Sequence, residues 1–364
     1  IIYYETSRGC PFSCCYCLSS VEKTLRFRDW ETVRRELQLF LDAGVAQVKF
    51  VDRTFNCRKQ HAMRIWQYLK EHDNGVTNFH FEIAADLLDD EEIGLLASLR
   101  PGQVQLEIGV QSTNPETIRA ICRRMDLARV ADAVARVRAV RNIHQHLDLI
   151  AGLPYEDYAS FGRSFDAVYR MRPDQLQLGF LKVLKGSAME AMAKEHGVIY
   201  QDEPPYEVLA TKYLSYGELL RLKDVEELVE RYYNSGQFAM SLAYLEHRFA
   251  GPFAMYEAFA AYWRAHGLFD CRHGRMEYYE ILYRFFASGA CPAIRAVRSE
   301  EQACFAELLL FDLYSRERLK SRPEFLPDYG LDKTEVQERL RFAGVGGERS
   351  GQCFVLRFRF DLQE

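Results

Sequence analysis

Three cysteines stand close together near the start of the chain, directly after a short run that reads as a β-strand. Cys10, Cys14 and Cys17 have the spacing C-x-x-x-C-x-x-C, and the strand is expected at residues 2–6. Thiolates select zinc, Cu(I) or iron–sulfur clusters, and three protein ligands leave one coordination position open. The sequence therefore predicts that a strand leads into a tight loop, and that this loop holds a metal centre with a position free for chemistry.

The loop resembles the signature of the radical S-adenosylmethionine (SAM) enzymes. In that family three cysteines hold a 4Fe–4S cluster, the remaining iron binds the amino and carboxylate groups of SAM, and the aromatic residue before the last cysteine contacts adenine. The resemblance implies that Cys10, Cys14 and Cys17 are the cluster ligands and that Tyr16 contacts adenine.

Two alternatives start from the same cysteines. A zinc knuckle would need a second pair of Cys or His residues at matching spacing, and none lies nearby in the sequence. A ligand shift from Cys14 to Cys15 would give C-x-x-x-x-C-x-C, a less familiar spacing. We therefore expect Cys15 to be a small neighbour whose side chain points away from the centre.

Composition bounds the class of protein. With 364 residues, of which 48% are hydrophobic and 27% charged, the chain can bury a sizeable core and is expected to form about two domains. The formal net charge of -5 gives no basic field, so no nucleic-acid partner is expected. No apolar run is long enough to span a bilayer, so no membrane partner is expected, and a three-thiolate centre predicts a reducing cytoplasmic location.

Strand and helix periods alternate over the first half of the chain, which predicts an α/β fold. Residues 1–186 are expected to form a partial open (β/α)6 TIM-like barrel, and residues 187–364 a mostly α-helical C-terminal domain with a late strand at 355–360. The six barrel strands are expected at residues 2–6, 45–51, 78–84, 104–110, 145–151 and 175–180.

Ligands of such barrels lie at the C-terminal ends of the strands. The resemblance implies that the end of the second strand meets the SAM amino group, and that the ends of the fourth and fifth meet the ribose and adenine. The predicted SAM contacts are therefore Asp52, then Glu107 or Gln111, and the segment 149–154 with Leu149, Gly152 and Pro154.

Three acidic residues near these strand ends have more than one interpretation. Asp52 is either a SAM contact or a helix cap. Glu107 lies inside an apolar strand, where an unpaired carboxylate would be costly, so a ligand or an arginine must satisfy it, and Arg124 is the candidate. Asp148 is expected to be a structural hydrogen-bonding group rather than an acid of the site.

The chain as a whole resembles an uncharacterised branch of the cobalamin-dependent radical SAM proteins. The resemblance implies reductive cleavage of SAM to a 5′-deoxyadenosyl radical and modification of an unknown substrate, by C-methylation if cobalamin takes part. Such proteins usually carry an N-terminal cobalamin-binding domain with a D-x-H-x-x-G motif. That motif does not occur here, so cobalamin is expected to bind through a domain absent from this chain.

Two other functions remain open from the sequence. One is a non-catalytic iron–sulfur electron carrier or cluster sensor, and the other is a radical SAM oxidoreductase without cobalamin. The expected partners of an enzyme are a small-molecule or peptide substrate and an electron donor such as flavodoxin or ferredoxin.

Overall fold

Six parallel strands form one sheet, and their order in the sheet is their order in the chain. The structure is a computed structural model that describes residues 1–317, 319, 322–328, 331–343 and 355–361. Every neighbouring pair of these strands is parallel, as expected when helices connect them. The strands are β1 (Ile2–Tyr4), β2 (Gln47–Phe50), β3 (Asn78–Ile83), β4 (Val104–Gln111), β5 (His144–Ala151) and β6 (Gln175–Phe180).

Helices follow the strands, so the predicted partial TIM-like (β/α)6 barrel is confirmed. Asp29 caps the first helix by accepting from the Thr32 backbone N–H at 3.1 Å, and Asp89 caps the third helix in a capping box with Glu92. The helices of this region are α1 (Trp30–Asp42), α2 (Lys59–Glu71), α3 (Asp90–Ala97), α4 (Pro115–Ala120), α5 (Leu127–Val140), α6 (Tyr158–Arg170), α7 (Ala188–Met192) and α8 (Tyr216–Leu228).

The two faces of the sheet differ in chemistry because successive side chains of a strand point to opposite sides. On one face, buried apolar side chains pack with the helices; for example, the ring of Phe81 in β3 lies 6.1 Å from that of Trp66 in α2. In β4 the buried Leu106 and Ile108 alternate with the half-buried Glu107, which lies on the polar face. The interior of the open barrel is therefore polar and charged.

The chain divides into two units, Ile1–Glu230 and Arg231–Glu364. The sequence put the domain boundary at 186/187, where the strands end, whereas residues 187–230 group with the sheet. The second unit is helical in the residues that the structure describes, and buried aromatic rings such as those of Tyr232 and Trp263 form its core. Its helices are α9 (Ala239–Glu246), α10 (Pro252–Ala265), α11 (Arg275–Ala287), α12 (Ser299–Tyr314) and α13 (Lys333–Phe342).

The late strand expected at residues 355–360 is wrong, since the described residues 355–361 form no strand. The backbone N–H groups of Arg359 and Phe360 donate instead to the buried carboxylate of Glu307 in α12, at 2.9 and 3.2 Å. A side chain thus provides the acceptors that a neighbouring strand would have provided. Within the described residues, no helix is both long enough and apolar enough to cross a membrane.

Candidate functional site

The cysteine loop is closed at its base by two short antiparallel strands, Ser7–Arg8 and Arg26–Phe27. Gly9 begins the loop with a φ of +95°, and a Cβ atom there would lie 2.4 Å from the carbonyl oxygen of Thr24. This close approach of two backbone segments requires glycine. The hydrogen bond from the Cys10 N–H to the carbonyl of Glu22, 3.2 Å long, holds the same turn.

Cys10, Cys14 and Cys17 line one cavity of about 210 Å³, and all three are free thiols. The described residues contain no group of three His, Cys, Asp or Glu side chains that could hold a single metal ion, so the three thiols surround the cavity rather than meeting at one point. Cysteine ligands of an iron–sulfur cluster bind different iron atoms and therefore need no common point. Burial raises the pKa of the Cys10 thiol.

Cys15 does not line this cavity. It is buried, its Sγ lies 4.0 Å from the carbonyl oxygen of Ala120, and burial raises its pKa to about 12. Its backbone N–H donates to the carbonyl of Ile121 at 3.0 Å. The structure thus places Cys15 as the sequence predicts, on the side of the loop away from the other three thiols.

Tyr16 lines the cavity, and Arg123 contacts both the cysteine loop and the fourth strand. The Nη1 atom of Arg123 lies 3.4 Å from the Tyr16 hydroxyl and 3.7 Å from the Sγ of Cys14, while Nη2 donates to the carbonyl of Gly109 in β4. A guanidinium group thus joins the cysteine loop to the end of a strand. Burial raises the pKa of the Tyr16 phenol above its ordinary value, so the hydroxyl keeps its proton.

Glu107 lies inside the barrel and lines the cavity, but its partner is not Arg124. Lys49 Nζ donates to its Oε2 at 3.0 Å, and His80 Nε2 lies 2.8 Å from the same oxygen. Burial alone would raise the pKa of Glu107, yet the two hydrogen bonds outweigh burial and lower it to about 2. Arg124 is exposed and lines the cavity without making this ion pair, so the predicted pairing is wrong.

Two more acids of the barrel interior line the cavity. Glu82 in β3 is half-buried, and burial, with Glu107 and Asp148 nearby, raises its pKa to about 7. Asp148 in β5 lies 2.9 Å from His146 Nε2, and burial raises its pKa although this hydrogen bond opposes the shift. Asp148 therefore pairs with His146, as expected of a structural group, and also lines the cavity, as expected of an acid of the site.

Gln111 ends β4 with a φ of +72° and lines the cavity. Its Oε1 atom is buried and has no hydrogen-bond partner within the described part of the chain. A Cβ atom on Gly109 would lie 2.3 Å from the Nε2 atom of Gln111, so glycine leaves the space for this side chain to fold back. A buried acceptor without a partner is costly unless a ligand satisfies it.

Asp52 does not reach the cavity. It is fully buried, and its carboxylate accepts three hydrogen bonds: from the Thr6 backbone N–H at 3.0 Å, the Thr6 hydroxyl at 2.7 Å and the Ser7 hydroxyl at 2.6 Å. These bonds leave no open face for an ammonium group, so the predicted SAM contact at Asp52 is not supported. The next two residues, Arg53 and Thr54, line the cavity in its place, with Thr54 Oγ1 3.9 Å from Cys10 Sγ.

The residues predicted at the end of the fifth strand do not line the cavity either. Leu149 is fully buried on the apolar face, because the preceding Asp148 points into the barrel and side chains alternate. Gly152 has a φ of +90°, and a Cβ atom there would lie 2.8 Å from Val208 Cγ1. Pro154 is buried as well. The structure thus assigns these three residues to packing.

A family model described as the radical SAM superfamily matches residues 4–168, which begin at the last residue of β1 and contain the cysteine loop and the strands β2 to β5. The chain therefore carries a radical SAM domain. A second family model, described only as a protein of unknown function (DUF4080), matches residues 194–343.

Several curated proteins resemble the radical SAM domain over part of their length. An uncharacterized methyltransferase of Pyrococcus horikoshii is 27% identical over 154 residues, which are 42% of this chain and 33% of that protein. The oxygen-independent coproporphyrinogen III oxidase of Salmonella typhimurium is 30% identical over 155 residues, 41% of this chain and 33% of the oxidase. The 2-(S-pantetheinyl)-carbapenam-3-carboxylate methyltransferase of Streptantibioticus cattleyicolor is 26% identical over 167 residues, 43% and 24% of the two chains. This chain thus spans a third or less of these relatives.

Solved structures resemble the chain more distantly. The radical SAM methyltransferase TsrM from Kitasatospora setae, with cobalamin and a [4Fe–4S] cluster bound, has a TM-score of 0.49 at 17% identity over 56% of this chain and 41% of its own. The coproporphyrinogen III oxidase of Escherichia coli has a TM-score of 0.42 at 18% identity, over 63% and 52%. The fold is identified by the strand order of this chain and not by these similarities.

The cavity of the radical SAM domain fits the two cofactors that the superfamily uses, a 4Fe–4S cluster and SAM. Its three thiols are the donors that such a cluster takes. The buried Oε1 atom of Gln111 accepts no hydrogen bond from the described residues, and a ribose hydroxyl of SAM would supply a donor for it. Cys10, Cys14 and Cys17 would hold the cluster, and Tyr16 and Gln111 would contact SAM.

Sequence reasoning missed several residues that line the cavity. Arg123 stands next to the predicted Arg124, and although both line the cavity, Arg123 is the one that contacts Cys14 and Tyr16. Glu82 could have been predicted from the sequence, because its carboxylate lies between Phe81 and Ile83 in an expected strand, the same pattern that pointed to Glu107. Other cavity residues without a prediction are Phe12, Ser20, Arg53, Thr54, Ile83, Ala84, Asp86 and Gly109.

Proposed function

We propose that this protein is a radical SAM enzyme that cleaves SAM reductively and modifies a substrate that is still unidentified. The observation that carries the proposal is the placement of Cys10, Cys14, Cys17 and Tyr16 around one cavity at the carboxyl ends of the strands. When bound, the reduced cluster and SAM would supply a 5′-deoxyadenosyl radical that takes hydrogen from an unactivated carbon.

The protein's own residues position and shield this chemistry. Arg123 holds the Tyr16 hydroxyl and places a positive charge 3.7 Å from Cys14 Sγ. The ion pairs of Glu107 with Lys49 and of Asp148 with His146 fix the barrel interior below the loop. We infer that this charged interior receives the polar end of the substrate, while the cysteine loop covers the reacting end.

C-methylation is the specific reaction that we propose, with cobalamin bound by a domain other than residues 1–364. Two of the relatives have methyltransferase names, which supports transfer of a methyl group. A third has the name of an oxidase, which supports the alternative of a radical SAM oxidoreductase without cobalamin. Cobalamin absorbance with residues 1–364 tests the placement of cobalamin outside these residues: we expect weak or no binding, and tight binding would contradict that placement.

The partners and location follow as proposals from the same chemistry. We propose a small-molecule or peptide substrate, a flavodoxin or ferredoxin as electron donor, and a reducing cytoplasmic environment. The net charge of -5 supports a partner other than nucleic acid.

Anaerobic reconstitution tests the proposed function directly. Iron and sulfide analysis with Mössbauer spectra should show one 4Fe–4S cluster per chain, and dithionite-reduced protein should release 5′-deoxyadenosine and methionine from SAM. The triple variant Cys10→Ala, Cys14→Ala, Cys17→Ala should lose the cluster. The matched control Cys15→Ala should keep it, because Cys15 lies outside the cavity.

Three outcomes would contradict the proposal. Iron retained in the triple variant would show that Cys10, Cys14 and Cys17 do not hold the cluster. Cluster loss in Cys15→Ala would show that Cys15 is a ligand in place of Cys14. A protein with a full cluster that neither binds nor cleaves SAM would favour the non-catalytic electron carrier or cluster sensor.

A further inference from the structure

A surface pocket of about 230 Å³ is lined by three arginines, Arg28, Arg58 and Arg64. All three residues are exposed, and no acidic side chain of the described residues lines the same pocket. Arg28 pairs with Glu36 outside the pocket, with 2.8 Å between Nη1 and Oε2. We call this surface, with its three arginines, the arginine pocket. It is positively charged although the chain as a whole is acidic.

Two of the guanidinium groups are held by aromatic rings and not by carboxylates. The Cζ atom of Arg58 lies 5.0 Å from the ring centroid of Phe27, and that of Arg64 lies 4.1 Å from the ring centroid of Trp30. Within the described part of the chain, Arg58 and Arg64 form no side-chain hydrogen bond and no ion pair. A cation–π contact orients the guanidinium plane and leaves its N–H groups free for an acceptor. Both side chains are therefore positioned to receive carboxylates from outside the chain.

The stability of the fold does not account for Arg58. It directly precedes α2, a helix whose first turn contains no acidic residue and whose N-terminus has no side-chain cap. The N-terminus of a helix carries partial positive charge, so a cation there is unfavourable. The arginine adds positive charge to the pocket at a cost to the helix.

The arginine pocket adjoins the cysteine loop through two connections. Phe27 pairs with Ser7 in the two short strands that close the loop, and Ser7 stands three residues before Cys10, so their Cα atoms lie within about 11 Å. Cys57 directly precedes Arg58 and lines a further cavity together with three residues of the cysteine loop. A protein bound at the arginine pocket would thus lie next to the cluster.

We propose that the arginine pocket is the docking surface for the acidic protein that reduces the cluster, with flavodoxin as the donor. This rests on the proposed function, because docking here serves a cluster. Carboxylates of the donor pair with Arg58 and Arg64, and the rings of Phe27 and Trp30 add apolar contact; arginine and aromatic residues are enriched at such interfaces. One electron leaves the reduced flavin and enters the cluster, so the donor is oxidised and the cluster reduced by one electron.

Reduced flavodoxin is the probe, and stopped-flow absorbance of the reconstituted full chain measures the second-order rate constant of cluster reduction. Complementary charge accelerates encounter and suits the small interfaces of electron-transfer complexes. The double variant Arg58→Glu, Arg64→Glu should therefore react roughly tenfold more slowly at low salt. Raising NaCl to about 0.5 M should slow the unsubstituted chain and change the variant little. Iron content and dithionite-driven SAM cleavage should be retained, because neither arginine lines the SAM cavity.

Two further double variants separate the pocket from net charge. Arg138→Glu with Arg141→Glu changes the net charge equally; both residues are exposed and precede β5, at the edge of the sheet opposite the cysteine loop, so the rate constant should not change. Arg58→Lys with Arg64→Lys keeps both charges and should keep most of the rate.

Calorimetric titration with oxidised flavodoxin measures docking without electron transfer and without a cluster. Docking is therefore tested even if the cluster assignment fails, and the two failures are distinguishable. We expect binding that weakens with salt and is lost in Arg58→Glu, Arg64→Glu. An unchanged rate constant in that variant, an equal fall in the Arg138→Glu, Arg141→Glu control, or rates without salt dependence would overturn the proposal. Binding of a single-stranded oligonucleotide, with no binding of flavodoxin, would overturn it in favour of a nucleic acid.

Discussion

Glu82 and Glu107 are paired in register on neighbouring strands, yet their carboxyl groups titrate far apart. Burial, with the charges of Glu107 and Asp148, raises the pKa of Glu82 to about 7. Burial acts on Glu107 as well, but hydrogen bonds from His80 and Lys49 outweigh it and lower the pKa to about 2. Glu107 is therefore ionised at neutral pH, while Glu82 holds a proton about half of the time.

Glu82→Gln should stabilise the protein at high pH only. The folded pKa of Glu82, about 7, lies above the ordinary value of 4.5, so folding loses stability as the pH rises from 4.5 through 7. The loss at pH 8 is about 3 kcal/mol, and glutamine avoids it because it carries no charge. Urea unfolding should show this gain at pH 8 and none at pH 4.5. The exposed control Glu71→Gln should show neither, and an equal gain at both pH values would contradict the assignment.

Much of the fold could be predicted because the barrel strands are short, apolar on one face and separated by capped helices. The fourth strand was expected at 104–110 and is Val104–Gln111, and the sixth, Gln175–Phe180, has its expected bounds. The prediction of a late strand was wrong because a distant residue determines the structure there, which no local pattern shows. The carboxylate of Glu307, about 50 positions away in the sequence, accepts hydrogen bonds from the backbone of Arg359 and Phe360.

The site was harder to predict than the fold because a shift of one residue reverses the direction of a side chain. In β5 this shift separates Asp148, which lines the cavity, from Leu149, which packs on the apolar face. After α4, Arg123 and Arg124 both line the cavity, but Arg123 contacts Cys14 whereas Arg124 is exposed. The three cysteines were easier to predict as a group because their mutual spacing fixes them as a set, and they line one cavity.

Asp52→Asn should lower stability rather than SAM affinity. The carboxylate accepts three hydrogen bonds from Thr6 and Ser7, and the amide would turn an N–H₂ group toward at least one of these donors. We expect the free energy of unfolding to fall by about 2–4 kcal/mol. The neighbouring Arg53→Gln, at an exposed cavity residue, should keep stability and weaken SAM binding. Normal stability with lost SAM binding in Asp52→Asn would restore Asp52 as a cofactor contact.

Arg123→Gln should make the cluster harder to reduce. Its guanidinium lies 3.7 Å from Cys14 Sγ, where a positive charge stabilises the more negative, reduced cluster. Without this charge the midpoint potential should become more negative by on the order of 50 mV, with iron content retained. A redox titration followed by electron paramagnetic resonance measures the potential. Arg124→Gln is the matched control and should shift it less, so equal shifts in both variants would remove the specific role of Arg123.

Gly9→Ala should prevent cluster assembly although all three cysteines remain. Gly9 has a φ of +95°, and an added Cβ would lie 2.4 Å from the backbone oxygen of Thr24, so the loop must open at its base. Gly75→Ala is the matched control, because Gly75 also has a positive φ, +74°, with no atom within 4 Å of an added Cβ. We expect full iron content and a stability loss of about 1 kcal/mol in the control, against loss of iron in Gly9→Ala. Equal iron content in the two variants would show that the cysteine loop tolerates the contact, and that the geometry at Gly9 does not position Cys10.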